Sequence, residues 1–324
     1  MPTRLRTLPG RSTVRPPALS IVGLLIATAG CDVVQRQERA YQDKFASAGL
    51  EESRVELDEG RVRYWSSPSG SPLLMLHGFG GHALWQWHQQ VGPLTRAGVR
   101  VIAPDLVGFG ETHSSSDRYS VPAQADLALE LMEGLGVQRY DVLGLSYGGY
   151  VALELARRRP NVVQRLILVD CPGPAYSQTD YEVLLATYDV DSAAALLIPQ
   201  TPNDIRRLLE LIFSKPPRVP RFALRQLHES LFTARVSEQT RLLESLVDTY
   251  RVNAPEYPTQ TTLVLWGEDD RLFPLSIAER LVSAIGTRAE LDTIAAAGHA
   301  PNLERPVAFN ESLIGFLTSS GQPD

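Results

Sequence analysis

The sequence predicts an α/β protein, with an eight-stranded, mostly parallel sheet covered by helices on both faces and broken by a helical insertion. Three observations predict it. Short apolar runs of strand length recur along the chain, with helix-like segments between them. That rhythm stops between Pro172 and Pro258, where helical patterns alone occur. A Gly-x-Ser-x-Gly turn, Gly144 to Gly148, joins one of the apolar runs to a helix pattern.

The elements follow in order. Residues 1–30 are read as a signal peptide outside the fold. Arg4, Arg6, Arg11 and Arg15 form a basic start, and an apolar stretch runs from Ala18 to Ala29. That stretch is shorter than the ~20 apolar residues a bilayer-spanning helix needs, and it suits a secretory segment. Thr28-Ala29-Gly30-Cys31 resembles the lipobox of bacterial lipoproteins, with Thr28 departing from the usual aliphatic residue. The resemblance implies cleavage before Cys31, lipidation of Cys31, export, and a membrane surface as a partner. Residues 31–49 are polar and are expected to form a helical linker. The folded core is assigned to 50–171 and 259–320, and a helical cap, or lid, to 172–258.

The core opens with a hairpin. Val55 and Leu57 alternate with polar neighbours, Asp58-Glu59-Gly60 turns, and Val62, Tyr64 and Trp65 continue. Six further strands are read at 73–76, 99–103, 140–145, 166–169, 263–266 and 291–294. In the insertion, Thr201 is an expected N-cap with Pro202 at the first helical position. Ile205, Leu208, Leu209 and Ile212 then fall on one helical face. Ser237 is expected to cap a second helix carrying Leu242, Leu243, Leu246, Val247 and Tyr250.

Composition excludes several classes. Hydrophobic residues make up 44% and charged residues 21%, an ordinary globular balance. The net charge of −6 comes despite four N-terminal arginines, so the body is strongly acidic and unsuited to nucleic acid. Two cysteines, Cys31 and Cys171, make no disulfide framework and no zinc ribbon. No phosphate-binding Gly-Lys-Ser/Thr loop occurs. No metal and no cofactor are expected.

The chemistry centres on Ser146. A serine on a sharp strand-to-helix turn projects its oxygen above the sheet, and the crowding demands small residues at Gly144 and Gly148. The following helix aims its free N–H groups and positive dipole end at a developing oxyanion. These residues resemble the α/β-hydrolase superfamily over about residues 50–320. His77-Gly78-Phe79-Gly80-Gly81 resembles the family's oxyanion loop, which implies backbone N–H donors at Phe79 and Tyr147. Pro104 to Gly110 resembles the family's turn after the fourth strand, with Val107 where proline is usual. Asp105 is read there as a turn and hydrogen-bonding residue.

An activated serine needs a base and the base an orienting carboxylate. Of six histidines, only His228 and His299 follow Ser146, and the fold's chain order is nucleophile, acid, histidine. His228 lies in the insertion. His299, in Ala297-Gly298-His299-Ala300-Pro301, resembles the family's histidine loop and is taken as the base. Composition does not choose among Glu268, Asp269 and Asp270. The family spacing between glycine and proline selects Asp270. Cys171 reads as a small buried residue.

Serine at the nucleophile position separates this chain from haloalkane dehalogenases and epoxide hydrolases of the fold, which place aspartate there. Hydrolysis of carboxylic esters, with a small-molecule ester or lipid as substrate, is the expected activity. Cleavage of carbon–carbon bonds in dienoic ketoacids, peptidase or cofactor-free haloperoxidase activity, and a non-catalytic binding role are the alternatives. The segment from Leu196 to Pro202 and the helices after it, about residues 195–250, resemble the cap of the monoacylglycerol-lipase branch and related bacterial lipases.

Overall fold

The computed structural model describes residues 32–249 and 256–319. The signal-peptide and Cys31 assignments lie outside the described residues. Nine strands form one sheet: β1 (Glu51–Leu57), β2 (Gly60–Ser66), β3 (Ser71–Leu76), β4 (Val99–Pro104), β5 (His113–Ser114), β6 (Tyr140–Leu145), β7 (Val163–Val169), β8 (Thr261–Gly267) and β9 (Ala289–Ile294). Eight correspond to the predicted strands. The addition, β5, is a two-residue bridge onto β2, too short to leave a pattern in sequence. The order is β1-β2-β4-β3-β6-β7-β8-β9, with β1, β2 and β4 paired antiparallel and every pair from β4-β3 onward parallel.

The helices are α1 (Val33–Ser47), α2 (Ala83–Trp87), α3 (Val91–Arg96), α4 (Val121–Gly134), α5 (Tyr147–Arg158), α6 (Gln178–Tyr188), α7 (Ala193–Leu197), α8 (Pro202–Ile212), α9 (Arg221–Leu231), α10 (Val236–Thr249), α11 (Leu275–Ile285), α12 (Pro301–Glu304) and α13 (Pro306–Thr318). The sheet is covered on both faces, so its central strands are continuous apolar runs. Every residue of β6 is buried. Alternation along the strands divides the core. Leu74, Val142, Leu168 and Trp266 join Leu131, Val151 and Leu281 of α4, α5 and α11 on one face. Leu73, Leu143, Ile167 and Leu265 join Phe45, Trp87 and Leu313 of α1, α2 and α13 on the other.

Helix α1 occupies the segment read as a linker, and it is docked rather than free. Tyr41 stacks on His88 with ring centroids 3.7 Å apart, and Phe45 packs edge-on against Trp65. Glu38 accepts the Trp85 indole N–H at 3.1 Å. Polar residues along the sequence hid this apolar stripe, because only Val34, Tyr41 and Phe45 are buried.

Helices α6 to α10 fill the stretch between β7 and β8. The start of α8 is as predicted: Thr201 and Asp204 form a reciprocal capping box with Pro202 in the first turn. The start of α10 is not. The helix begins at Val236, so Ser237 lies inside the first turn and its hydroxyl bonds Glu238. The Gln239 N–H bonds the Arg235 carbonyl, which puts Arg235 rather than Ser237 at the cap position. Because β3, β6, β7, β8 and β9 run parallel, the loops after them emerge at one edge of the sheet, where open α/β sheets bind ligands.

Candidate active site

Ser146 ends β6 and begins α5, with φ 50° and ψ −115°, a backbone conformation a non-glycine residue rarely adopts. The turn is held from below by the Ser146 N–H, which donates to the Val169 carbonyl at 2.8 Å. Space explains the flanking glycines. A Cβ at Gly148 would sit 2.3 Å from the Leu76 carbonyl oxygen, and one at Gly144 would sit 2.3 Å from that of Gly148. Gly149 is equally constrained by Cys171, whose side chain is buried directly against it. Cys171 is therefore the small packing residue it was read as, and burial pushes its thiol well above the usual range.

The structure brings Asp270 and His299 together from the loops after β8 and β9. His299 Nδ1 lies 2.8 Å from Asp270 Oδ2. The other carboxylate oxygen accepts the N–H groups of Leu272 at 2.8 Å and Phe273 at 3.0 Å. Both side chains are buried, at 7% and 6% exposure, and this fixes the imidazole with its Nδ1 proton on the carboxylate. The neighbouring acids point elsewhere: Asp269 accepts the Ser214 hydroxyl at 2.6 Å, and Glu268 accepts that of Thr293 at 2.8 Å. The loops fit by close backbone approach, since a Cβ at Gly267 would meet the Gly298 carbonyl oxygen at 2.0 Å. His228 is remote from this pair and bonds the Pro199 carbonyl.

One residue of the site had no motif to reveal it. Asp170 ends β7 in a left-handed conformation, φ 43°, and is fully buried. Its Oδ1 accepts the Gly267 N–H at 2.9 Å, and its Oδ2 has no other donor facing it. Asp170, Asp270 and His299 bring one side-chain oxygen or nitrogen each within 4.8 Å of one another. Burial, and then the Asp270 charge, push the Asp170 carboxyl well above the usual carboxylate range. The raised Asp170 carboxyl favours its protonated form, with that proton available to the Asp270 side chain beside it. Such a cluster is also the donor set a cation favours, but the His299 nitrogen facing Asp270 is already committed to that hydrogen bond. A shared proton accounts for its geometry.

The loop after β3 completes the site. His77 is buried, and burial pushes its pKa down to about 4, so it is neutral. Its Nε2 accepts the Leu106 N–H at 2.9 Å, which leaves the proton on Nδ1 to donate to the Gly78 carbonyl at 2.8 Å. Those two bonds tie the Phe79 turn to the loop after β4. Asp105, read as a hydrogen-bonding residue, does that work there: it pairs with Arg63 at 2.7 Å and accepts the Ala83 N–H at 3.0 Å. Tyr147 stands at the first position of α5, where helical N–H groups lack internal partners. Ser146 and His299 line one cavity of about 170 Å³ together with Phe79, Leu208, Ile212 and Leu303. Among its lining residues none is Asp, Glu, Lys or Arg.

Comparison with known proteins agrees with this architecture. The family model described as alpha/beta hydrolase fold matches residues 71–306. The chain is 30% identical over 273 residues to 2-hydroxymuconate semialdehyde hydrolase of Pseudomonas sp. strain CF600, covering 80% of this chain and 91% of that protein. It is 30% identical to the monoacylglycerol lipase ABHD6 of Rattus norvegicus, covering 78% of this chain and 77% of the relative. Among solved structures it resembles a membrane phospholipase A described as a bacterial virulence factor, with TM-score 0.75 and 29% identity over 88% of this chain and 91% of the other. A serine on a strained elbow, a buried acid–histidine pair and matches of this length together place the chain in the alpha/beta hydrolase fold family, as a hydrolase.

Proposed function

We propose that this chain hydrolyses carboxylic esters with apolar acyl groups, such as monoacylglycerols, through an acyl-enzyme on Ser146. His299 Nε2 removes the Ser146 proton as the oxygen attacks the acyl carbon. Asp270 holds the ring in the required tautomer and stabilises the imidazolium that forms. The N–H groups of Phe79 and Tyr147 receive the oxyanion of the tetrahedral intermediate. The alcohol leaves with the proton from His299, and a water activated by the same nitrogen releases the acid.

One observation carries the substrate class: the cavity over Ser146 is walled mainly by apolar side chains, with no Lys or Arg among the described residues that line it. Several relatives are named as hydrolases of dienoates and related diacids, such as 2-hydroxy-6-oxo-6-phenylhexa-2,4-dienoate hydrolase. Carbon–carbon bond cleavage in such substrates is the second reading. A carboxylate buried without a cationic partner costs several kcal/mol, and the lining offers none, which favours a neutral ester. The resemblance to ABHD6 supports the same reading. Turnover of a monoacylglycerol and of a dienoate by the same preparation tests it. Hydrolysis of the dienoate alone would overturn the ester assignment.

We also propose export and lipidation at Cys31, supported by the order of basic, apolar and small-residue segments in residues 1–31. Intact mass and membrane fractionation of the full chain and of Cys31→Ser decide it. A soluble wild type retaining Met1 would refute it.

A further inference from the structure

Ten arginines among the described residues pair with a carboxylate, Arg54, Arg118, Arg157, Arg158, Arg241 and Arg280 among them. The segment from Lys215 to Arg225 gathers cations that are not so paired. Residues 211–228 contain Lys215, Arg218, Arg221 and Arg225 and no acid, in a chain of net charge −6. All four are exposed. Glu210 and Glu229 flank the segment, and two carboxylates that meet its start are already committed: Glu304 to the N–H groups of Ser214, Lys215 and Gly298, and Asp269 to the Ser214 hydroxyl. Arg218, Arg221 and Arg225 form no ion pair among the described residues.

Helix α9 turns two of these charges, Arg221 and Arg225, outward. Ala223 and Leu224 are buried beneath it, while Arg221, Phe222 and Arg225 face solvent. Phe222 is 42% exposed, one of three large hydrophobic residues so displayed among the described residues. The segment also borders the catalytic cavity, because Ile212 and Phe213 before it and Leu231 at its far end line that cavity. The start of α1 meets the same helix: the Val33 N–H donates to the Gln226 side chain at 2.9 Å. Unneutralised cations around one exposed aromatic ring, next to the mouth of an apolar cavity, match an anionic lipid surface in charge and in polarity.

We propose that the start of α9 and the loop before it, bearing Arg218, Arg221, Phe222 and Arg225, dock this chain on an anionic lipid bilayer and bring the cavity to lipid esters held there. The proposal deepens the ester-hydrolase reading and rests on it.

The test uses the full chain and two vesicle compositions, phosphatidylcholine alone and phosphatidylcholine with phosphatidylglycerol. Partitioning is read by co-sedimentation, and the result is the ratio of anionic to neutral binding. An apolar N-terminal anchor contributes to both arms of that ratio, and the N-terminal arginines are common to wild type and variants. The triple variant R218Q/R221Q/R225Q is expected to lower the ratio about 100-fold at low salt, taking about 1 kcal/mol per cation near the surface. R218K/R221K/R225K should retain it, and Arg159→Gln, an exposed arginine at the end of α5, should leave it unchanged. Phe222→Ala should weaken binding to both compositions. Turnover of a monodisperse p-nitrophenyl ester should be equal in all variants, since none of these residues lines the cavity. A triple Gln variant that keeps the wild-type ratio overturns the proposal, as does a wild type that binds both vesicles equally. Vesicle binding without ester turnover in the wild type would instead remove the ester-hydrolase reading and leave the docking face standing.

Discussion

Replacing Asp170 by Asn separates a carboxyl that holds a proton from one that carries charge. Asp170 is fully buried, faces the Asp270 carboxylate, and is pushed well above its ordinary value of 3.8 by burial and by that charge. An acid whose folded-state pKa is raised binds its proton more tightly folded than unfolded. Its contribution is fully present below pH 3.8 and is lost as pH rises from there toward the folded-state value. Within that window the loss is about 1.4 kcal/mol per pH unit. Asn has no proton to lose, tolerates the left-handed conformation of residue 170, and still offers Asp270 an N–H. Urea unfolding of wild type and Asp170→Asn at pH 5 and pH 6 measures the difference directly, because the titrations common to both proteins cancel. The wild type should lose stability relative to the variant as pH rises, by up to about 1.4 kcal/mol over that unit. Turnover should stay within about threefold of wild type, since a donor remains. A difference independent of pH would mean that Asp170 is ionised in the folded protein, and the shared-proton account would be wrong.

Other predictions follow from single contacts. Asp270→Asn should lower kcat on the order of 10⁴-fold, by analogy with other triad carboxylates, whereas Asp269→Asn, which loses one surface bond to Ser214, should cost less than about threefold; reversed effects would shift the acid by one residue. Gly148→Ala places a methyl 2.3 Å from the Leu76 carbonyl oxygen and should destabilise by about 3 kcal/mol or more; an unchanged Tm would contradict the packing of the elbow. Burial and the raised thiol of Cys171 should keep it unlabelled by iodoacetamide until the protein is denatured; rapid labelling of native protein would show the elbow to be open. Octanoyl esters should be preferred to acetyl esters by about 50-fold in kcat/KM if three further methylenes are buried, at about 0.8 kcal/mol each, and equal rates would remove the apolar acyl site.

The strands and the Ser146 elbow were legible because their signals are local. A parallel strand buried on both faces is a continuous apolar run, as β6 is, and the elbow needs glycine where backbones touch, as Gly144 and Gly148 do. The choice of Asp270 required a family spacing, since Glu268, Asp269 and Asp270 look alike in composition and differ only in which partner they meet. Asp170 was missed for the same reason taken further: it meets Asp270 and His299 across a hundred residues or more, and no motif surrounds it. An acid at the buried end of a central strand was the available signal. The docking of α1 was illegible because three buried side chains in fifteen residues leave a pattern too thin to separate from a solvated helix. The start of α10 was misplaced by two residues because a serine inside the first turn resembles a cap in sequence.

Acylation of Ser146 is the centre of the account, and a fluorophosphonate probe reads it without assuming a substrate. Wild-type protein should gain one probe adduct by intact mass, with the label on the peptide containing Ser146 and ester turnover lost in proportion. Ser146→Ala should fold with the wild-type circular dichroism spectrum, take no label and hydrolyse no ester. Equal labelling of Ser146→Ala, or ester turnover by that variant at the wild-type rate, would contradict it.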